Sequence, residues 1–504
     1  MIAAWLRIAC LVLAALALPL SPALAGKKDD TLTAGFRLQL QSLDSLFSPG
    51  REGLLLTFWL YDNFLYRDPV SLEFKPLLAT SWKQIDDVTL ELTMREGVKF
   101  HDGSVMTPDD AVYTLNFVGD IANNVFNQSI VSWVKRAEKT ADGKVRVISK
   151  QPTPLALEYL SKIAVYPKPY YERVGKEGMA TAPIGTGPYT AKPGPSNTVV
   201  FTRNDNYFEG GPKPRPAIKT LIYKTVPEVN TQVAELLTGA LDWAFYIPDD
   251  QATKLASARN LRVVNEETFR IAYLTMDPAG RTNPATPLKN LKVREAISYA
   301  IDREALAKNL VGGKTRVIHS ICFPTQFGCT DQVRRFTYDV AKAKALMAEA
   351  GTGGFEVDLY AFRSRQVAEA IVGYLGAIGI KANMRWLQYP AVVQKRRSSE
   401  APMIVDDWGS TSINDAAAMV SVFFRGGPDD YTNDPVIQKA LETADNTLDA
   451  AVRKKGYGEV MQRIAEQAYW LPLFTMPVNY VLGADLDMPV STDEVPEFYR
   501  AKWK

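Results

Sequence analysis

His101 and His319 are the only histidines in the chain, and neither stands in an arrangement that does chemistry. An imidazole works as a general base when a nucleophile or a second acid shares its surroundings. His101 instead lies in His101-Asp102-Gly103, a turn by composition, where nearby acids satisfy a histidine without catalysis. Neither G-x-S-x-G nor H-E-x-x-H occurs. Gly313-Lys314-Thr315 has the ending of a phosphate loop, but the position that needs the first glycine holds Lys308. The adjacent acids Asp86-Asp87, Asp109-Asp110 and Asp429-Asp430 fall in turns or at helix starts, where capping explains them. No enzyme and no cofactor are expected from these residues.

The 504-residue chain has 46% apolar and 23% charged residues, an ordinary soluble composition long enough for two to four domains. A formal charge of +2 implies neither a nucleic-acid nor a membrane-surface partner. The short run Lys395-Arg396-Arg397 reads as a solvated helix face. The N-terminus differs in kind. Leu11 to Leu20 is almost wholly apolar, Arg7 precedes it, and Ala23-Leu24-Ala25 stands before Gly26 and Lys27-Lys28-Asp29-Asp30. That is the pattern of a secretory signal peptide, residues 1–25, cleaved after Ala25. The apolar run is too short for a spanning helix. Cleavage removes Arg7 and no acid, taking the formal charge from +2 to +1. Cys10 precedes the apolar core, where a lipid-attachment cysteine would follow it. The two cysteines that remain, Cys322 and Cys329, would meet an oxidising compartment, and a disulfide between them is expected. The alternative, a metal site with His319, needs a fourth ligand that the sequence does not supply.

Several elements are legible by periodicity. Val88, Leu90, Leu92 and Met94 alternate as in a half-buried strand. Thr107-Pro108-Asp109-Asp110 opens a helix with a capping box, and Ala111, Leu115 and Val118 give its buried face. Thr31 to Leu40 reads as a strand, and Leu54 to Tyr66 as a helix. Asn124 to Lys150 holds a helix and a strand. A strand at 355–362, a helix at 366–378 and a strand at 380–387 form a β-α-β unit, which argues for parallel sheet. The glycines of Ile184-Gly185-Thr186-Gly187 suit positions with positive φ.

Three ordered stretches carry a family resemblance. They are Pro76-Leu77-Leu78-Ala79-Thr80-Ser81-Trp82, Met94-Arg95-Glu96-Gly97-Val98-Lys99-Phe100-His101-Asp102-Gly103 and Thr107-Pro108-Asp109-Asp110-Ala111-Val112. Further on stand Gly185-Thr186-Gly187-Pro188-Tyr189 and Val293-Arg294-Glu295-Ala296-Ile297-Ser298-Tyr299-Ala300-Ile301-Asp302-Arg303. Across 31–480 the chain resembles the extracytoplasmic solute-binding proteins of ABC importers for dipeptides, oligopeptides or nickel. The resemblance implies an α/β, two-lobed periplasmic binding protein fold of type II, cluster C-like, with an extra small domain inserted in lobe one. Residues 26–67, 185–268 and 475–504 would form lobe one, 68–184 the insert, and 269–474 lobe two. It also implies a periplasmic monomer that delivers a small peptide or peptide-like ligand to permease subunits in the inner membrane.

By the same resemblance, Trp408 matches the family's pocket tryptophan. Thr411 stands where peptide-binding members have the aspartate that pairs with the peptide ammonium. A hydroxyl cannot neutralise a buried ammonium. Trp408-Gly409-Ser410 is nearer to the nickel-binding pattern, which keeps a nickel-chelate or opine-like ligand in view. Asp407 and Asp415 flank the position and could reach the site. Arg363 or Arg365 would grip a ligand carboxylate, and which of them does so stays open. Trp243, Phe245, Tyr246 and Tyr273 would supply aromatic walls. The rivals from other classes are a secreted hydrolase, which needs an activated nucleophile or metal, and a periplasmic chaperone, which exposes broad apolar surface.

Overall fold

The computed structural model describes residues 26–48 and 50–504. The expected signal peptide, 1–25, therefore lies outside the described residues. The molecule is α/β and two-lobed, built on two mixed sheets. The first has seven strands in the spatial order Leu261–Glu266, Val478–Gly483, Trp243–Ala244, Thr31–Phe36, Thr220–Thr225, Thr198–Arg203 and Tyr189–Pro193. The second has five: Ile380–Trp386, Phe355–Ala361, Met403–Trp408, Ile271–Met276 and Trp470–Thr475. Ile271–Met276 is buried at every residue, as a strand apolar on both faces except at Thr275 should be when it is covered on both sides.

A third sheet, Ala79–Asp86, Thr89–Met94, Val145–Ser149 and Val134–Lys139, is antiparallel throughout. Leu90, Leu92 and Met94 point into its core while Thr89, Glu91 and Thr93 are half-buried, the alternation read from the sequence. The helix Pro108–Gly119 covers that core with Ala111, Leu115 and Val118. Its capping box is present, with the Thr107 N–H donating to Asp110 Oδ2 at 2.8 Å.

The sequence reading differs from the structure at several places. The first strand stops at Phe36 because Arg37, Leu38 and Gln39 are exposed. The helix expected to reach Tyr66 runs only Gly50–Trp59, and Leu65–Arg67 is a strand. Residues 124–150 hold two strands behind one short helix. Arg396 is not on a solvated face: it is buried between Asp406 at 2.7 Å and Asp429 at 2.8 Å, so Asp429 serves an ion pair and not a cap. Gly185 and Gly187 do not adopt positive φ. Their reason is space, because a Cβ on Gly185 would lie 2.3 Å from the Leu60 carbonyl oxygen and one on Gly187 2.6 Å from it. Among the described residues no helix is long and apolar enough to cross a membrane.

Candidate functional site

In open α/β sheets the ligand crevice lies outside the carboxyl ends of parallel strands, where the strand order reverses. Each large sheet has such a point. In the second, Phe355–Ala361 is parallel to Ile380–Trp386 on one side and to Met403–Trp408 on the other. The chain winds outward to the first and then returns to the second. Arg363 follows one carboxyl end of that reversal, and Asp407 and Trp408 form the other. In the seven-stranded sheet, Thr31–Phe36 is parallel to Thr220–Thr225 and to Trp243–Ala244. Arg37 and Tyr246 follow the carboxyl ends there. The two crevices face each other, with the Arg363 guanidinium 5.4 Å from the centre of the Tyr246 ring.

A charge network joins the lobes at this seam. Glu494, from the C-terminal segment, accepts from Arg270 Nε and Nη2 at 3.0 Å each and from Tyr246 Oη at 2.8 Å. Arg51, in the first turn of the helix Gly50–Trp59, pairs with Glu494 at 2.6 Å and donates to Ser412 Oγ at 3.2 Å. Arg270 also pairs with Asp407, whose second oxygen takes Arg363 Nε at 3.0 Å. Burial opposes ionisation of Glu494, but Arg270 and Arg51 overcome it and hold the carboxyl far below the usual range. Arg37 is exposed and makes no ion pair or side-chain hydrogen bond to the described residues, and partial desolvation together with the nearby Arg363 charge lowers its pKa. Like-charged guanidiniums from opposite lobes thus feel each other's charge at the seam, an arrangement that favours an anion between them.

Backbone strain gathers at the same seam. Tyr246, Ser410, Thr411, Ser412 and Glu494 all have φ between 51° and 60°, a conformation costing non-glycine residues roughly 1–3 kcal/mol each. Gly409 has no room for a side chain, since a Cβ there would sit 2.9 Å from Arg270 Nη2.

The structure brings Arg363, Asp407, Tyr246, Ser410 and Thr411 to the seam, with half-buried Trp408 beside them. The Trp408 indole N–H donates to the Ala418 carbonyl at 2.8 Å, which fixes the ring edge-on to Phe423. The other expected residues lie elsewhere. Arg365 is exposed and paired with Glu369 one helical turn on, at 2.8 Å. Trp243 and Phe245 are core residues of lobe one, packed on Phe36 and each other. Tyr273 is fully buried and stacked on Trp470 in lobe two, 4.6 Å between ring centres. Asp415 pairs with Arg453 at 2.7 Å. Sequence reasoning missed Arg37, Arg51, Arg270 and Glu494. Arg270 was within reach, standing just before the strand that crosses between lobes; nothing local marked the others.

Cys322 and Cys329 are joined by a disulfide, their Cα atoms 5.8 Å apart. His101 is fully used in the scaffold. Its Nδ1 accepts from the Gly185 N–H at 3.2 Å and its Nε2 bonds the Gly187 carbonyl at 3.0 Å. That pattern requires a neutral ring protonated on Nε2. His319 faces the Arg303 guanidinium at 3.4 Å, and burial with that charge lowers its pKa to about 4.

Two lobes with opposed crevices, bridged by a charge network, define a two-lobed solute-binding protein. The chain belongs to the bacterial extracellular solute-binding proteins, family 5, whose middle region matches residues 73–431. It is 27% identical over 423 residues to the glutathione-binding protein GsiB of Salmonella typhi and to that of Escherichia coli K12, covering 80% of this chain and 80% of each relative. The fold matches a dipeptide-binding protein from Pseudoalteromonas sp. SM9913 in complex with Met-Leu, at a TM-score of 0.82 and 23% identity over 94% of this chain and 100% of that one. It also matches NikZ from Campylobacter jejuni in complex with Ni(L-His), at a TM-score of 0.78 and 21% identity over 95% and 100% of the two chains.

Proposed function

We propose that this chain is the receptor of an ABC importer for a peptide-like solute bearing a carboxylate. The solute binds between the lobes and is handed to permease subunits in the inner membrane. The observation that carries this reading is Arg363 of lobe two reaching across to the Tyr246 ring of lobe one, 5.4 Å from its centre, with the exposed Arg37 within reach of its charge. A desolvated carboxylate needs an opposite charge, and a guanidinium supplies it with directed hydrogen bonds. Trp408, Thr411 and Ser410 line the lobe-two side, and Tyr246 the lobe-one side. The protein works as an exported monomer without catalysis, in keeping with a His101 whose ring nitrogens are both engaged. Family relatives named for glutathione and dipeptides support the solute class.

The test is native mass spectrometry of the protein as purified, followed by titration calorimetry with glutathione and with dipeptides. Recovery or binding of a carboxylate-bearing peptide-like solute is expected. Recovery of a nickel complex, the reading that Trp408-Gly409-Ser410 favours second, would overturn it.

A further inference from the structure

Glu52 stands next to Arg51 in the first turn of the helix Gly50–Trp59, only 7% exposed, and its Oε2 has no hydrogen-bond partner among the described residues. We propose that Glu52 binds the ammonium of the solute, and that the solute carries an α-amino-acid head, with ammonium and carboxylate on one carbon. The inference rests on the function proposed above.

Burial raises the Glu52 carboxyl, and its own backbone N–H, then the charges of Arg51, Arg363 and Arg37, restrain that rise. None of the three donates a hydrogen bond to it. Arg51 is committed to Glu494 and Ser412, and Arg363 to Asp407. Its own backbone N–H and these distant charges favour the charged form but leave Oε2 without a donor among the described residues. An ammonium supplies three donors and the opposite charge. Thr411 cannot do this from lobe two, so the acid missing there is replaced from the opposite lobe.

The neighbours of Glu52 decide which solute fits. Arg363 and Arg37, which face the carboxylate, are also within electrostatic reach of Glu52. Arg363 lies 5.4 Å from the Tyr246 ring centre, Tyr246 and Arg51 both bond Glu494, and Glu52 adjoins Arg51, so acid and arginine belong to one region and not to two ends of a long groove. That suits a carboxylate and an ammonium on the same carbon better than the separated termini of an α-linked peptide.

The probes are glutathione, which keeps an α-amino-acid head through its γ-linkage, its α-linked isomer Glu-Cys-Gly, and N-acetylglutathione. Wild-type protein is expected to prefer glutathione over both others by at least about tenfold in calorimetry. Glu52→Gln, which is isosteric, should abolish that preference while binding N-acetylglutathione as wild type does. Glu52→Asp, which retains the charge, should keep most of it, and a thermal melt of each variant checks folding. An unchanged preference in Glu52→Gln would overturn the role of Glu52 alone. Equal binding of glutathione and Glu-Cys-Gly by the wild type would overturn the amino-acid head. Binding of none of the three probes would overturn the peptide-like reading, and this inference with it.

Discussion

Arg270 grips Glu494 with two parallel hydrogen bonds, Nε to Oε1 and Nη2 to Oε2, each 3.0 Å long. Arg270 stands where the chain crosses into lobe two, and Glu494 on the segment that has returned from it. Glu494 is 1% exposed, so its charge persists only because Arg270 and Arg51 neutralise it.

Removing one partner of that pair should therefore cost much more than an exposed pair would. Arg270→Ala is expected to lower unfolding stability by about 3–5 kcal/mol. Arg365→Ala, which breaks a solvated helical pair, should cost about 0.5 kcal/mol or less. Urea unfolding of both variants makes the comparison.

Glu494 also gives a pH signature. Its folded pKa is depressed, so its contribution is fully present above its ordinary value near 4.5 and is lost as pH falls below that. The stability difference between wild type and Glu494→Gln should be flat at neutral pH and shrink on acidification. A difference that grows as pH falls would contradict the assignment.

For solute binding the two arginines of the 361–365 stretch should separate cleanly. Arg363→Ala is expected to weaken binding by roughly 2–5 kcal/mol, the scale for one member of a desolvated charge pair. Arg365→Ala should leave it unchanged. Calorimetry against the solute found by native mass spectrometry decides it; unchanged affinity in Arg363→Ala would remove Arg363 from the site.

His101 should stay neutral, with its proton on Nε2. Burial lowers its pKa below 6.5, so its contribution to stability is present above 6.5 and lost as pH falls through the lowered value. Long-range nitrogen–proton NMR correlations report the tautomer and its midpoint directly. A ring that titrates above 6.5 would refute the hydrogen-bond pattern.

The disulfide closes a loop of only a few residues, Cys322 and Cys329 being seven apart in sequence. Loop-closure entropy then gives about 2–3 kcal/mol. Thiol labelling of the denatured, unreduced protein should find neither cysteine, and reduction should lower the melting temperature.

Much of the scaffold was legible because local pattern carries it. The alternation from Leu90 to Met94 and the β-α-β unit from Phe355 to Trp386 depend on residues a few positions apart. The site depends on residues that are not. Arg270 and Glu494 are 224 positions apart, and no periodicity connects them. Trp243 and Phe245 sit beside the crevice in sequence, but Trp243–Ala244 is a strand inside a sheet, so its tryptophan faces the core. Arg365 could have been set aside from the sequence alone, since Glu369 four residues on is its natural helical partner.

The strand Val478–Gly483 lies between Trp243–Ala244 and Leu261–Glu266, whereas all five strands of the second sheet fall between Ile271 and Thr475. The order of assembly follows from this. The second sheet has every strand it needs before the residues after Thr475 emerge, and can form early. The first must hold a gap open for a strand that arrives last, which makes its closure the slow, long-range step of folding. A chain cut after Thr475 would lose an interior strand, not a tail, and with it Glu494.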